Sequence, residues 1–239
     1  MQQNKITILS TRPLHAELIN QAAEKNIVIE SISFIETEPI TNQELKENIS
    51  KLIPQSITVV FTSMNAVESV ASHLSNIKPD WKIFCIGSAT KKLVKEYFGE
   101  NVIAGTADSA SGLADEITNQ NNISSVIFFC GDKRRDELPE KLKQQRIEVN
   151  EFEVYKTVET EQQIEKKYDA ILFYSPSAVN SFFSVNKISS ETILFAIGNT
   201  TANEIKKIAA NKIIIANEPS KELLAEQAIN YFETNLTHY

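Results

Sequence analysis

Phe61–Val70, FTSMNAVESV, and Phe173–Phe182, FYSPSAVNSF, say nearly the same thing 112 residues apart. Each is the end of an apolar strand that runs into a helix through a turn that is polar but uncharged. The likeness extends outward from both copies. IFCIGSAT from Ile83 matches LFAIGNTT from Leu194, and LINQAAEKNIVIESISFIET from Leu18 matches LPEKLKQQRIEVNEFEVYKT from Leu138. Self-similarity recurring at offsets of 111, 112 and 120 residues marks a duplicated unit, here in the order a1-b1-a2-b2 over roughly residues 5–37, 57–118, 125–157 and 169–232.

Strand-sized runs rich in Ile, Val and Phe (KITIL, VIESISFI, ITVVFTS, KIFCIG, NVIAG, SVIFFCG, VNEFEVY, AILFYS, TILFAIG, KIIIA) alternate with helical patterns. That alternation specifies an α/β fold with parallel sheets flanked by helices, because strands covered on both faces read as nearly continuous apolar runs. The repeat by itself allows two consecutive domains or one nested in the other. VIESISFIET and VNEFEVYKT alternate apolar and polar residues as half-exposed strands do, and two such strands suit paired linkers, which favours nesting. The expected organisation is an outer domain of residues 1–37 and 158–239, an inner domain of 38–154, and linker strands near 30–38 and 150–158 that form a two-stranded ladder.

A chain of 239 residues with 42% hydrophobic and 23% charged residues has enough apolar surface for a core without disulfides. No apolar run approaches the roughly 20 residues that span a bilayer, and the N-terminal MQQNKITILSTRP lacks the apolar stretch and cleavage site of a secretory signal. A cytoplasmic protein is expected. A net charge of −7 argues against nucleic acid as partner, and the one basic triplet, Lys133–Arg135, is flanked by Asp132, Asp136 and Glu137. Cys85 and Cys130 sit inside apolar strand runs with no second ligand at metal spacing, so they read as core residues.

Four strand-to-helix turns share one chemistry: TSMNAV after Phe61, GSAT after Ile86, SPSAVN after Tyr174 and GNTTAN after Ile197. Each offers hydroxyls and amides where a helix begins, at the carboxyl end of a strand, which is where open α/β sheets bind ligands. Ser, Thr and Asn there serve as N-caps. Capping does not account for the absence of Asp, an equally good cap, whereas a bound anion does, since it shares the positive end of the helix with no carboxylate to repel it. The glycines form neither a dinucleotide nor a P-loop motif, and the three histidines lack metal or triad spacing. Tyr155, in EVYKT, is either a half-buried strand aromatic or a phenol able to donate a proton. Arg12, in STRP, is either half of a structural ion pair, slightly favoured from its place in the outer unit, or a carboxylate clamp.

Taken together, STRP at Ser10, FTSMNAV at Phe61, IGSAT at Ile86, SGLADEI at Ser111, CGDKRRDEL at Cys130, VYKT at Val154, FYSPSAV at Phe173 and IGNTTA at Ile197 resemble the uroporphyrinogen-III synthase family. The motifs run in the expected order over nearly the whole chain. The resemblance implies the nested two-domain architecture, no cofactor, no metal, a monomer, and conversion of linear hydroxymethylbilane to uroporphyrinogen III with inversion of the last ring and loss of water. Carried over by motif, the substrate-binding positions are Thr62, Ser63 and Asn65, Gly87, Ser88 and Thr90, Ser175, Ser177 and Ala178, Gly198, Thr200 and Thr201, with Arg12 as a further candidate. Tyr155 matches the linker tyrosine, a contributing rather than obligatory acid. The family's arginine near the CG motif has two claimants here, Arg134 and Arg135, and Met64 is expected to pack locally. The rival is a non-catalytic two-domain protein that closes on a small anion.

Overall fold

The computed structural model describes residues 5–74, 77–120 and 122–236. Along the chain run β1 (Ile6–Ser10), α1 (Ala16–Glu24), β2 (Ile27–Ser31), β3 (Ile35–Pro39), α2 (Gln43–Leu52), β4 (Thr58–Phe61), α3 (Met64–His73), β5 (Lys82–Ile86), α4 (Gly87–Phe98), β6 (Ile103–Ala107), α5 (Ala110–Thr118), β7 (Ser125–Gly131), α6 (Glu137–Gln144) and β8 (Glu148–Glu159). The remainder is β9 (Ala170–Phe173), α7 (Pro176–Val185), β10 (Ile193–Ala196), α8 (Asn199–Ile208), β11 (Ile213–Ile215) and α9 (Lys221–Leu236). The chain forms two compact units, one ending at Glu36 and resuming at Val158, the other spanning Thr37–Thr157.

The first unit is built on a five-stranded sheet in the order β11-β10-β9-β1-β2, parallel throughout. Successive side chains of a strand face opposite sides, and the core divides accordingly. Ile8, Ala170, Leu172 and Phe195 pack under α1 and α9, whereas Leu9, Ile171, Phe173, Leu194 and Ala196 pack under α7 and α8.

The second unit has a six-stranded sheet, β3-β8-β7-β4-β5-β6, whose last five strands are parallel. Val59, Phe61, Ile83, Cys85 and Phe129 pack under α2, α3 and α4, while Val60, Phe84, Phe128 and Cys130 pack under α5 and α6. The duplication is therefore element for element: β8-β7-β4-β5-β6 repeats β2-β1-β9-β10-β11.

One strand run divides. VIESISFI, a single strand by periodicity, becomes β2 and β3, which join different sheets. The break falls where Phe34 turns fully into the core and Ser33 Oγ donates to the Ile35 carbonyl, so the chain leaves one ladder and enters another. Its repeat, β8, runs unbroken for 12 residues. Around β3, Thr160 N–H donates to Phe34 O and Ile40 N–H to Val154 O; the rising and falling residue numbers are those of an antiparallel pair.

Candidate active site

In a parallel sheet all strands end at one edge, so the four turns quoted above, with those after β1 and β7, lie at the carboxyl edges of their own sheets. In the six-stranded unit, the Ser63 hydroxyl accepts from the Ala66 N–H at 3.2 Å and caps α3. Thr62 and Asn65 flank it, half-buried, while Met64 is 46% exposed and does not pack as expected: it opens the first turn of α3, the face turned to water. In the five-stranded unit Ser175 repeats the cap, accepting from Ala178 N–H at 3.2 Å, with Pro176 and Ser177 in the first turn. Capping thus uses the Ala178 N–H.

The two glycine turns differ. Gly87 has φ +72°, with open space where a Cβ would stand, so it is the left-handed backbone that calls for glycine. Neither α4 nor α8, which begins after Gly198, donates a backbone N–H to a capping side chain. Ser88 and Thr200 are exposed. Thr90 and Thr201 are only 6% and 2% exposed, yet among the described residues neither hydroxyl has a hydrogen-bond partner in the protein. Among the described residues no fully buried side-chain oxygen or nitrogen lacks a partner, so the little surface these threonines expose includes the hydroxyl. A cavity of about 270 Å³ lies at the α4 turn, lined by Gly87, Ser88, Lys91, Thr106, Ala107 and Asp108. Lys91 was not among the sequence candidates; its place in the first turns of α4, right after GSAT, is the signal that could have found it.

Acid content separates the helices. The first turns of α3, α4, α5, α7 and α8 contain no Asp or Glu, whereas α1, α2, α6 and α9 have Glu there. The positive ends of the first group are left electrostatically open.

The STRP turn after β1 is held rigidly. Ser10 Oγ donates to the Arg12 carbonyl at 2.6 Å and lies 3.3 Å from the Tyr174 hydroxyl, and Thr11 Oγ1 donates to the Leu172 carbonyl at 2.8 Å. Burial pushes the Tyr174 phenol up to about 12, so it stays neutral. Arg12 itself is exposed and forms no ion pair among the described residues, which removes the structural pairing favoured from sequence.

Tyr155 lies on β8 opposite Gly131, the last residue of β7, where the ladder slips by one residue after Cys130↔Glu153. Its ring covers the Gly131 Cα: a Cβ there would stand 2.4 Å from Cε2 and Cζ and 2.8 Å from the hydroxyl oxygen. Asp132 secures the strand beyond, its carboxylate accepting from the Thr157 N–H at 2.8 Å. Of the two arginines, Arg134 is committed to Asp136 and Glu151, which hold its guanidinium charged, while Arg135 is exposed and has no partner among the described residues. Cys85 and Cys130 are buried, and burial raises their thiols to about 11 and about 12. Among the described residues no group of His, Cys, Asp and Glu could hold a metal ion, and no helix is long and apolar enough to cross a membrane.

Fold and turns define a class: a duplicated open-sheet α/β protein in which α3, α4, α5, α7 and α8 begin at the carboxyl edges with no acid in their first turns. Within that class the model of the family described as uroporphyrinogen-III synthase HemD matches residues 16–226, and the chain belongs to that family. Its activity is that of a cyclizing hydro-lyase of tetrapyrrole biosynthesis. A uroporphyrinogen-III synthase of Schizosaccharomyces pombe is 24% identical over 217 residues, 82% of this chain and 84% of the relative. In fold, the chain is similar to the uroporphyrinogen-III synthetase of Helicobacter pylori, with a TM-score of 0.66 at 18% identity over 95% of this chain and 99% of the other. A mutant uroporphyrinogen III synthase of Thermus thermophilus gives a TM-score of 0.58 at 12% identity, covering 96% and 99%.

Proposed function

We propose that this chain binds hydroxymethylbilane through its acid-free helix N-termini and closes it to uroporphyrinogen III, acting as a cytoplasmic monomer with an inner domain, 38–154, nested in an outer one. The observation that carries the binding proposal is the repeated pair of uncapped helices, α4 and α8, each with a buried threonine whose hydroxyl has no partner among the described residues. A carboxylate satisfies both the free N–H groups and the hydroxyl. Gly87, Ser88, Thr90 and Lys91 serve one substrate carboxylate, Gly198, Thr200 and Thr201 another. At the serine-capped turns Thr62, Ser63, Asn65, Ser175 and Ser177 offer the remaining backbone and hydroxyl donors, and Ala178, whose N–H goes to the Ser175 cap, lines the turn. Arg12, exposed and with no carboxylate partner among the described residues, adds a cation on a hydrogen-bonded turn. An acidic chain can accept a polyanion this way because the positive charge is supplied locally by helix ends.

Departure of the bilane hydroxyl as water leaves an azafulvene-like electrophile. Attack by the substituted carbon of the last ring, rearrangement through a spiro intermediate and loss of a proton complete the ring. Tyr155 donates a proton or hydrogen bond to the departing hydroxyl. The bilane also closes without inversion, so the protein's larger contribution is to hold the fold in which the substituted carbon attacks.

The test is the product isomer. Freshly made hydroxymethylbilane plus the chain yields isomer III; isomer I alone refutes the enzymatic reading and favours an anion-binding protein. Tyr155→Phe is expected to slow formation of isomer III by roughly tenfold, below the roughly 10²–10⁴-fold typical of a full general acid, without abolishing it. Loss as complete as omission of the protein, with binding intact, would make Tyr155 essential.

A further inference from the structure

The duplicated helices α3 and α7 each contain a serine pair at equivalent places, Ser69 and Ser72 in the first copy, Ser181 and Ser184 in the second. Ser72 Oγ donates to the Ser69 carbonyl and Ser184 Oγ to the Ser181 carbonyl, both at 2.7 Å, the local back-bonding usual for serine inside a helix. Ser69 and Ser181 behave otherwise. Both are almost fully buried, and each hydroxyl leaves its own helix to donate to a main-chain carbonyl elsewhere: Ser69 to Val154 at 2.5 Å, Ser181 to Thr160 at 3.0 Å.

The target of Ser69 is the informative one. Val154 is the residue over which the β7–β8 ladder slips, and its carbonyl also accepts the Ile40 N–H at 2.9 Å. Because Ile40 already satisfies that carbonyl, Ser69 is not needed to avoid an orphaned acceptor. It fixes the direction of the peptide that joins Val154 to Tyr155, and hence where the Tyr155 ring lands over Gly131. The same helix begins at the Ser63 turn. One rigid element therefore connects an anion-accepting turn to the peptide that aims the phenol.

From this we infer that Ser69 is a positioning residue for Tyr155, acting through the Val154 carbonyl; the inference rests on the role proposed above for Tyr155. Ser181, chemically identical but bonded to Thr160, has no such role.

A double-mutant cycle tests it on the full chain with hydroxymethylbilane. Ser69→Ala is expected to lower kcat for isomer III about three- to tenfold with KM little changed, the loss of one aiming hydrogen bond. In a Tyr155→Phe background the same change is expected to cost less than about twofold, because the group being aimed is gone. Ser181→Ala combined with Tyr155→Phe should instead multiply independently, and both alanine variants should lower Tm by similar amounts. Full multiplicativity of Ser69→Ala with Tyr155→Phe overturns the inference while leaving Tyr155 its role. A Tyr155→Phe enzyme as fast as the parent removes the role itself, and the inference with it.

Discussion

Substituting Gly131 by alanine isolates the contribution of the Tyr155 ring. Gly131 does not have a positive φ, so the added methyl meets a space problem and no backbone strain. Its Cβ would stand 2.4 Å from two ring carbons, against an ordinary carbon–carbon contact of about 3.5–4.0 Å, so the ring has to retreat by about 1.1–1.6 Å. The strand cannot supply that movement easily. The Tyr155 carbonyl accepts the Asp132 N–H, Val154 is held by Ser69 and Ile40, and Thr157 by Asp132. The ring therefore swings about its own side-chain torsions, and since it is only half-buried the stability cost is expected near the low end of the roughly 1–3 kcal/mol typical of overpacking. A reacting group displaced by about 1 Å can lose roughly 100-fold in rate. With Tyr155 in the contributing, non-obligatory role proposed above, the loss is bounded by that of Tyr155→Phe, about tenfold. The assay separates isomers I and III after a timed reaction with fresh hydroxymethylbilane, alongside thermal denaturation. Gly105→Ala is the comparison, because its Cβ would strike the Phe84 ring at 2.7 Å and Glu116 at 2.8 Å, away from Tyr155. It should lose stability and keep its turnover per folded molecule. A folded Gly131→Ala protein with turnover within about twofold of the parent refutes the claim that the ring's place over Gly131 matters.

Thr201→Val, nearly isosteric and at a buried site, removes a hydroxyl with no partner among the described residues and should leave Tm almost unchanged while raising KM severalfold; an unchanged KM would dismiss that turn as a carboxylate site. Glu30 is held below the usual carboxylate range by hydrogen bonds from Lys166 and then Tyr168, so its stabilisation is present above the ordinary glutamate pKa, about 4.3, and is lost as pH falls through the lowered folded value. Glu30→Gln should accordingly flatten the acid side of the stability curve, as measured by urea unfolding between about pH 5 and pH 3. The buried thiols of Cys85 and Cys130, raised to about 11 and about 12, should resist alkylation in the native protein at neutral pH and react only on unfolding; fast labelling of either would contradict their packing.

Much of the fold was legible because the sequence states it twice. FTSMNAV and FYSPSAV have the same cap, Ser63 and Ser175 each accepting from the N–H three residues on, and a pattern written in two places is hard to mistake for chance. The split of VIESISFI into β2 and β3 was not legible: periodicity reports that a segment is extended, and two strands of different sheets share that period when only a short corner separates them. Arg12 and Arg134 show the same limit for charge. Which arginine meets a carboxylate is decided by packing, and it was Arg134 that found Glu151 and Asp136 while Arg12 stayed exposed. The distinction between serine-capped and uncapped turns was also hidden, since Ser63 and Thr90 look alike in a string that gives no burial.

The slip at Gly131 explains why the tyrosine's surroundings needed the structure. From Ser125↔Glu148 to Cys130↔Glu153 the parallel register is constant, and continued by one step it would set Val154 opposite Gly131. A change of register by one residue reverses the face on which every later side chain emerges. With the slip, Val154 is fully buried and Tyr155 takes the place over a residue that has no side chain. Glycine is thus required there by the ring, and the ring is delivered there by the irregularity. Irregularities of this kind cost ladder hydrogen bonds and recur beside active sites, where they re-aim a side chain. Here the offset is visible: the Val154 carbonyl at the slip accepts both Ser69 and Ile40. If the slip serves only packing, deleting the Tyr155 hydroxyl should leave isomer III formation untouched; a slower reaction by a folded Tyr155→Phe protein ties the irregularity to the chemistry.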